Sequence, residues 1–153
     1  MTEIITRVMD CHVAFMDEGV PSFLMLKRSA DKIYGGIWQC VTGKMEVGEK
    51  PFQAALREVK EETSLDIAKL WTVDRVNYFY EAEFDRMNMI PVFGCNVRSQ
   101  NIVLSDEHCD YRWCTIDKAI ELFLWDQQKQ GALAFYEMLT QSPKKLSFTE
   151  IDF

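Results

Sequence analysis

The stretch Gly43-Lys44-Met45-Glu46-Val47-Gly48-Glu49, followed after seven residues by Arg57-Glu58-Val59-Lys60-Glu61-Glu62-Thr63-Ser64-Leu65, carries the densest chemical pattern in the chain. An acidic, glycine-containing loop runs into a segment that Pro51 can open as a helix, because proline's fixed φ suits the first helical position. Phe52, Ala55, Leu56 and Val59 recur at helical spacing and predict an apolar stripe on a helix over about Pro51 to Thr63. On another side Glu58, Glu61 and Glu62 stand at i, i+3 and i+4, which crowds three negative charges into one turn. Like charges so spaced destabilise a helix by roughly 0.2–0.5 kcal/mol per pair, and a bound cation reverses the sign. Hard oxygen ligands on a rigid helix suit Mg²⁺ or Mn²⁺. For Glu-x-x-Glu-Glu taken alone, a solvated helix face is the plain alternative.

Outward from this segment, Ile4 to Met16 reads as a strand interrupted by Asp10 and His12, with His12 expected to find a polar partner. Asp17-Glu18-Gly19 is a turn, and Ser22 to Lys27 is an apolar run of the kind found in strands covered on both faces. Ser29 to Gly36 is a loop, and Ile37 to Val41 a short strand that feeds the acidic segment. Beyond the helix, Trp71 to Glu83 and Met89 to Arg98 read as strands joined through Asp85-Arg86-Met87-Asn88. An acidic loop at Ser105 to Asp110 precedes a strand at Tyr111 to Thr115, then helices at Ile116 to Leu122 and Gln127 to Leu139. Pro143 ends the last helix, and the tail to Phe153 is expected to be loosely held. Trp38, Trp113, Tyr78, Phe79 and Tyr80 are expected to pack rather than bind, since large aromatics dominate cores. Strands on both sides of one central helix, with more helix at the end, predict an α/β fold with a mixed sheet between helices.

At 153 residues and 48% hydrophobic content, the chain suits one domain over residues 1–153. Five cysteines without a Cys-x-x-Cys argue against structural zinc and a disulfide framework. A net charge of −7 disfavours a nucleic-acid polymer as partner, although metal ions and a few basic residues still allow a triphosphate. No apolar run reaches the 18 residues or so of a membrane span, and Met1-Thr2-Glu3-Ile4 lacks a signal-peptide start, so a cytoplasmic location is expected.

The 23-residue pattern from Gly43 to Leu65 resembles the Nudix box, G-x5-E-x7-R-E-U-x-E-E-x-G-U with U apolar. Gly43, Glu49, Arg57, Glu58, Val59, Glu61, Glu62 and Leu65 fall on it, and Ser64 departs from it where the family has glycine. The resemblance implies a Nudix-type α/β/α sandwich and hydrolysis of a nucleoside diphosphate linked to another group, by attack of water on phosphorus with Mg²⁺ (or Mn²⁺) as cofactor. It implies Glu58, Glu62 and the Gly43 carbonyl as metal ligands, Glu61 as ligand or general base, and Glu49 with Arg57 as a supporting pair.

Leu24-Met25-Leu26-Lys27-Arg28, Trp38 to Gly43, and Leu104 to Trp113 further resemble bacterial dihydroneopterin triphosphate pyrophosphatases, which also accept dATP. That similarity implies Glu107 as a late acidic ligand or base, and Arg28, Thr42 and Arg7 as substrate contacts. His108 is read as a loop hydrogen-bonding residue. The substrate implied is a nucleoside or pterin triphosphate. A diadenosine polyphosphate or nucleotide sugar is the alternative, with Tyr80 near a tyrosine of the dinucleoside polyphosphate hydrolases. A sensor that binds nucleotide without turnover is the alternative of another class. Relatives of this kind often dimerise, so a homodimer is a further expectation, though no stretch identifies an interface.

Overall fold

In the computed structural model, which describes Met1–Phe153, strands β2 (Val8–Asp17) and β7 (Arg86–Val97) lie side by side as a parallel pair within a nine-stranded mixed sheet. The main path across the sheet runs β4 (Trp38–Gln39), β3 (Val20–Arg28), β2, β7, β6 (Ile67–Glu81), β9 (Glu150–Ile151). Off that path, β1 (Glu3–Ile5) pairs in parallel with β7, β5 (Val41–Lys44) antiparallel with β2, and β8 (His108–Cys114) antiparallel with β3. Only Cys40 separates β4 from β5, so the chain leaves β3 and joins β2 within one residue.

The alternation of strand side chains sorts the interior into two cores. On one face Met9, Cys11, Val13, Leu24, Leu26, Phe93, Cys95 and Val97 pack with Ala54, Ala55 and Val59 of α1 (Pro51–Thr63). On the other, Ala14, Phe23, Met25 and Val92 pack with Ala119 of α2 (Ile116–Leu122) and with Ala132, Phe135 and Met138 of α3 (Asp126–Gln141). This is the expected helix–sheet–helix sandwich. The interruptions in β2 follow from it, because Asp10 and His12 fall on the α3 face. His12 does not gain the expected polar partner: its Nε2 has none, and burial lowers its pKa to about 3, which leaves a neutral ring edge-on to Phe123.

Helix α1 spans the expected residues. The Lys50 amide donates to Gln53 Oε1 at 2.9 Å, Pro51 takes the first turn, and the helix ends at Ser64 with φ 64° and ψ 10°. Serine therefore occupies the left-handed site at which glycine is the strain-free residue. Its amide donates to the Lys60 carbonyl at 2.9 Å, and its hydroxyl to the Val103 carbonyl at 3.3 Å.

Four further expectations change. The first strand breaks at Thr6 and Arg7, so that β1 pairs with β7 and β2 begins at Val8. The β6–β7 connection is tighter than expected, closing through a single 3-10 turn at Ala82–Phe84 and Asp85 at φ 46°. The tail is fixed: Pro143 ends α3 and also opens α4 (Pro143–Thr149), Lys145 pairs with Asp74 at 3.1 Å, and β9 adds to β6 at Leu70 and Trp71. Tyr78, Phe79 and Tyr80 join neither core and are exposed. At Tyr78 the side-chain amide of Gln127 accepts from the backbone N–H and donates to the backbone C=O, each at 2.7 Å. All five cysteines are free thiols, and no helix is long and apolar enough to cross a membrane.

Replacing Ser64 with glycine removes the left-handed strain of a β-carbon and is expected to stabilise the fold by about 1 kcal/mol. Thermal melting should show a rise of roughly 2–4 °C for a domain of this size. A lower melting temperature would mean that the Ser64–Val103 hydrogen bond outweighs the backbone strain.

Candidate metal and catalytic site

Arg57 is the brace of the site. Its guanidinium donates from Nε to Glu49 Oε2 and from Nη2 to Glu49 Oε1, both at 2.8 Å, the bidentate geometry that a planar fork provides. Nη2 also donates to the Lys44 carbonyl at 2.9 Å, and Nη1 to Glu58 Oε1 at 2.7 Å and Glu61 Oε2 at 3.2 Å. One side chain thereby ties the Lys44–Glu49 loop to the helix. The paired guanidinium holds the Glu49 carboxyl down at about 2.

At Gly43 the helix and the sheet approach each other closely. A β-carbon there would lie 2.4 Å from Glu58 Cδ, so the carboxylate of Glu58 occupies the room that glycine leaves. Burial raises the Glu58 pKa, against the opposing hydrogen bond from Arg57. One turn on, Glu62 is 2% exposed, and neither of its oxygens has a hydrogen-bond donor. Burial first, then the negative charges of Glu58 and Glu107, push its pKa up to about 10. Glu61, by contrast, stands outward with its side chain 57% exposed.

Glu107 reaches this cluster from the opposite direction. Its loop is fastened to the end of β3: the Ser29 amide donates to the Glu107 carbonyl at 2.9 Å, and the Ser29 hydroxyl to the Asp106 carbonyl at 2.8 Å. One carboxylate oxygen each of Glu62 and Glu107 and one ring nitrogen of His108 lie within 4.8 Å of one another. His108 makes the expected hydrogen bond, to Gln39 at 3.0 Å, from a position at the start of β8. Burial, aided by the charge of Arg28, lowers its pKa to about 4, so the ring is neutral near pH 7. A buried carboxylate with no donor, flanked by two more carboxylates, suits a divalent cation of the oxygen-preferring kind.

The three residues expected to contact substrate separate. Arg28 lies in register with His108, donates from Nε to the Ile33 carbonyl at 2.8 Å, and has no carboxylate partner. Its charge is therefore available beside the cluster. Thr42 faces the other side of the sheet from Gly43, where it is paired with Asp10. There Asn77 Nδ2 donates to Asp10 Oδ2 at 3.1 Å, with Gln128 completing a polar group beneath α3. Arg7 pairs with Glu81 at 3.6 Å and lines a cleft of about 400 Å³ with Glu46 and Glu49, apart from the carboxylate cluster. Sequence reasoning missed Gln39 and the Asp10–Asn77–Gln128 group. Asp10 as a charge inside a strand was the signal for the second, and the first had none.

Residues 7–136 match the NUDIX domain family. The dihydroneopterin triphosphate diphosphatase of Escherichia coli K12 is 38% identical over 111 residues, which cover 65% of this chain and 72% of that protein. The asymmetrical bis(5'-nucleosyl)-tetraphosphatase of Mus musculus is 28% identical over 132 residues, 84% of this chain and 87% of that one. An octanoyltransferase of Myxococcus xanthus is 33% identical over 101 residues, 64% of this chain, but the match spans only 28% of that protein's length. Among solved structures, the E. coli dihydroneopterin triphosphate pyrophosphohydrolase superposes with a TM-score of 0.71 at 26% identity, covering 89% of this chain and 98% of that one.

The raised pKa of Glu62 has a testable sign. Its folded value, about 10, exceeds the ordinary 4.5, so the folded state holds a proton that the unfolded state releases, and stability without metal falls as pH rises from about 4.5 toward 10. Glu62→Gln removes that loss. In EDTA the variant should melt with wild type near pH 5 and above it near pH 8, and it should gain no stability from added Mg²⁺ or Mn²⁺. Equal melting at pH 8 would show that Glu62 carries no uncompensated charge.

Proposed function

The chain belongs to the NUDIX family and is an enzyme of the Nudix hydrolase type, and from that premise we propose that it is a divalent-metal-dependent pyrophosphohydrolase of one domain over residues 1–153. Its substrate in this reading is a nucleoside triphosphate or dihydroneopterin triphosphate, cleaved to the monophosphate and pyrophosphate. The observation that carries the reading is the Glu62 carboxylate, buried without a donor between Glu58 and Glu107.

Glu58, Glu62, Glu107 and the Gly43 carbonyl would hold Mg²⁺ or Mn²⁺. When bound, the metal supplies charge neutralisation at the phosphates and a lowered pKa for the attacking water. Glu61, outward and anchored at one oxygen by Arg57, would accept the water's proton or complete the ligand set. Arg57 and Glu49 hold loop and helix in one arrangement, so that little reorganisation accompanies the reaction. Arg28, without a carboxylate of its own, receives a phosphate oxygen. Thr42 and Arg7 are assigned further substrate contacts on the sheet face and at the loop cleft.

A second reading keeps this site and changes the substrate to a diadenosine polyphosphate. The exposed Tyr78 and Tyr80 favour it, together with the similarity to the mouse tetraphosphatase over most of the chain.

The deciding experiment offers dihydroneopterin triphosphate, dATP, GTP, diadenosine tetraphosphate and ADP-ribose with Mg²⁺ and identifies both products. Pyrophosphate from the pterin or a purine triphosphate, abolished by EDTA, is the expected outcome. Preference for diadenosine tetraphosphate would replace the first reading with the second. Binding without turnover of any compound would make the protein a sensor. Glu61→Gln should lower kcat by about 10²–10⁴-fold if Glu61 takes the proton, with the melting temperature unchanged. A near wild-type rate would remove Glu61 from both of its assigned roles.

A further inference from the structure

Glu62 and His108 are buried to within 2% and 3% of full enclosure, yet each has polar atoms without partners. Neither Glu62 oxygen nor His108 Nδ1 meets a hydrogen-bond partner, although one ring nitrogen of His108 lies within 4.8 Å of oxygens from Glu62 and Glu107. Of the two ring nitrogens, Nε2 is engaged by Gln39 at 3.0 Å and Nδ1 is the one without a partner. Buried polar atoms are almost always satisfied, so atoms from α1 and β8 that converge unsatisfied mark the place of an occupant. The acidic helix face by itself describes an all-oxygen site. The imidazole does not belong to that description.

We propose that His108, through Nδ1, is a direct nitrogen ligand to a divalent cation held with Glu62 and Glu107, and that Gln39 is the positioning residue that orients it. The proposal rests on the metal-dependent reading above and adds to it a ligand of a different element. Ligation by Nδ1 requires its lone pair, which places the ring proton on Nε2, and Nε2–H then requires an acceptor. The Gln39 amide, turned about its Cγ–Cδ bond, presents Oε1 where its –NH₂ now lies. Metal-bound imidazoles commonly donate their second N–H to such a carbonyl, which fixes both tautomer and ring orientation. The sheet sets the distance between the two residues: Gln39 pairs with Leu26 and His108 with Arg28, so both are registered against the same strand, β3. A mixed nitrogen and oxygen set favours Co²⁺ and Zn²⁺ over Mg²⁺ more than an all-oxygen set does.

Mn²⁺ serves as the probe, read by pulsed electron paramagnetic resonance of the full chain. The chain has two histidines, and the other, His12, lies across the sheet against Phe123 and Gly131. The expected spectrum carries ¹⁴N modulation that becomes ¹⁵N modulation when histidine alone is ¹⁵N-labelled, a comparison that needs no substitution. His108→Gln should abolish the modulation and weaken Co²⁺ binding by at least about tenfold, while Mg²⁺ affinity changes far less. Gln39→Leu should weaken Co²⁺ binding in the same direction. Mn²⁺ that binds, and is lost in Glu62→Gln, but shows no histidine nitrogen overturns this proposal and leaves the metal-dependent reading standing. Failure of Mn²⁺ to bind at all overturns both.

Discussion

A carboxylate sealed from water with no donor must be neutralised by a proton or by a cation, and Glu62 is such a group. Much of the surrounding structure explains why nothing in the chain does this for it. Arg57, the cation of the same segment, spends its donors on Glu49, Lys44, Glu58 and Glu61. It steadies the neighbours and leaves Glu62 unmatched. Gly43 admits Glu58 against the sheet, and the Ser29 hydrogen bonds bring Glu107 in from the far side. The fold thus assembles an excess of negative charge at one buried point and braces everything around it.

The sheet distributes polar groups between its two faces. Because β4 and β5 meet at Cys40, a few consecutive residues serve different neighbours: Gln39 reaches His108, Thr42 turns toward Asp10, and Gly43 lies under Glu58. The carboxylate cluster and the polar Asp10–Asn77–Gln128 group therefore each meet residues beside one crossing yet lie on opposite faces of the sheet.

What could be read from the chain was what depends on local spacing. The limits of α1 follow from helical periodicity and an opening proline, and the Glu49–Arg57 pair, which the resemblance implied, joins residues only eight apart. The span of α2 was equally legible. Pairings between distant segments were not. The partner of β1 lies some eighty residues away, the Gln39–His108 bond spans sixty-nine, and nothing local specifies either. Pro143 shows how one residue supports two outcomes: it ends one helix and suits the first turn of the next, and only the docking of the tail on β6 selects the second. The exposed tyrosines follow the same logic, since alternation fixes which face a residue takes but not whether anything covers that face.

Beyond Trp71, strand β6 has a neighbour on one side only, and such an edge presents a row of peptide groups to solvent. An unguarded edge of that length is a template on which another chain's strand can grow. The Gln127 carboxamide bonds both peptide groups of Tyr78, in the middle of this edge, much as a passing strand would. It acts as a one-residue counterfeit strand. A strand arriving at this edge, beside the exposed tyrosines, would first have to displace a side chain anchored in the first turn of α3.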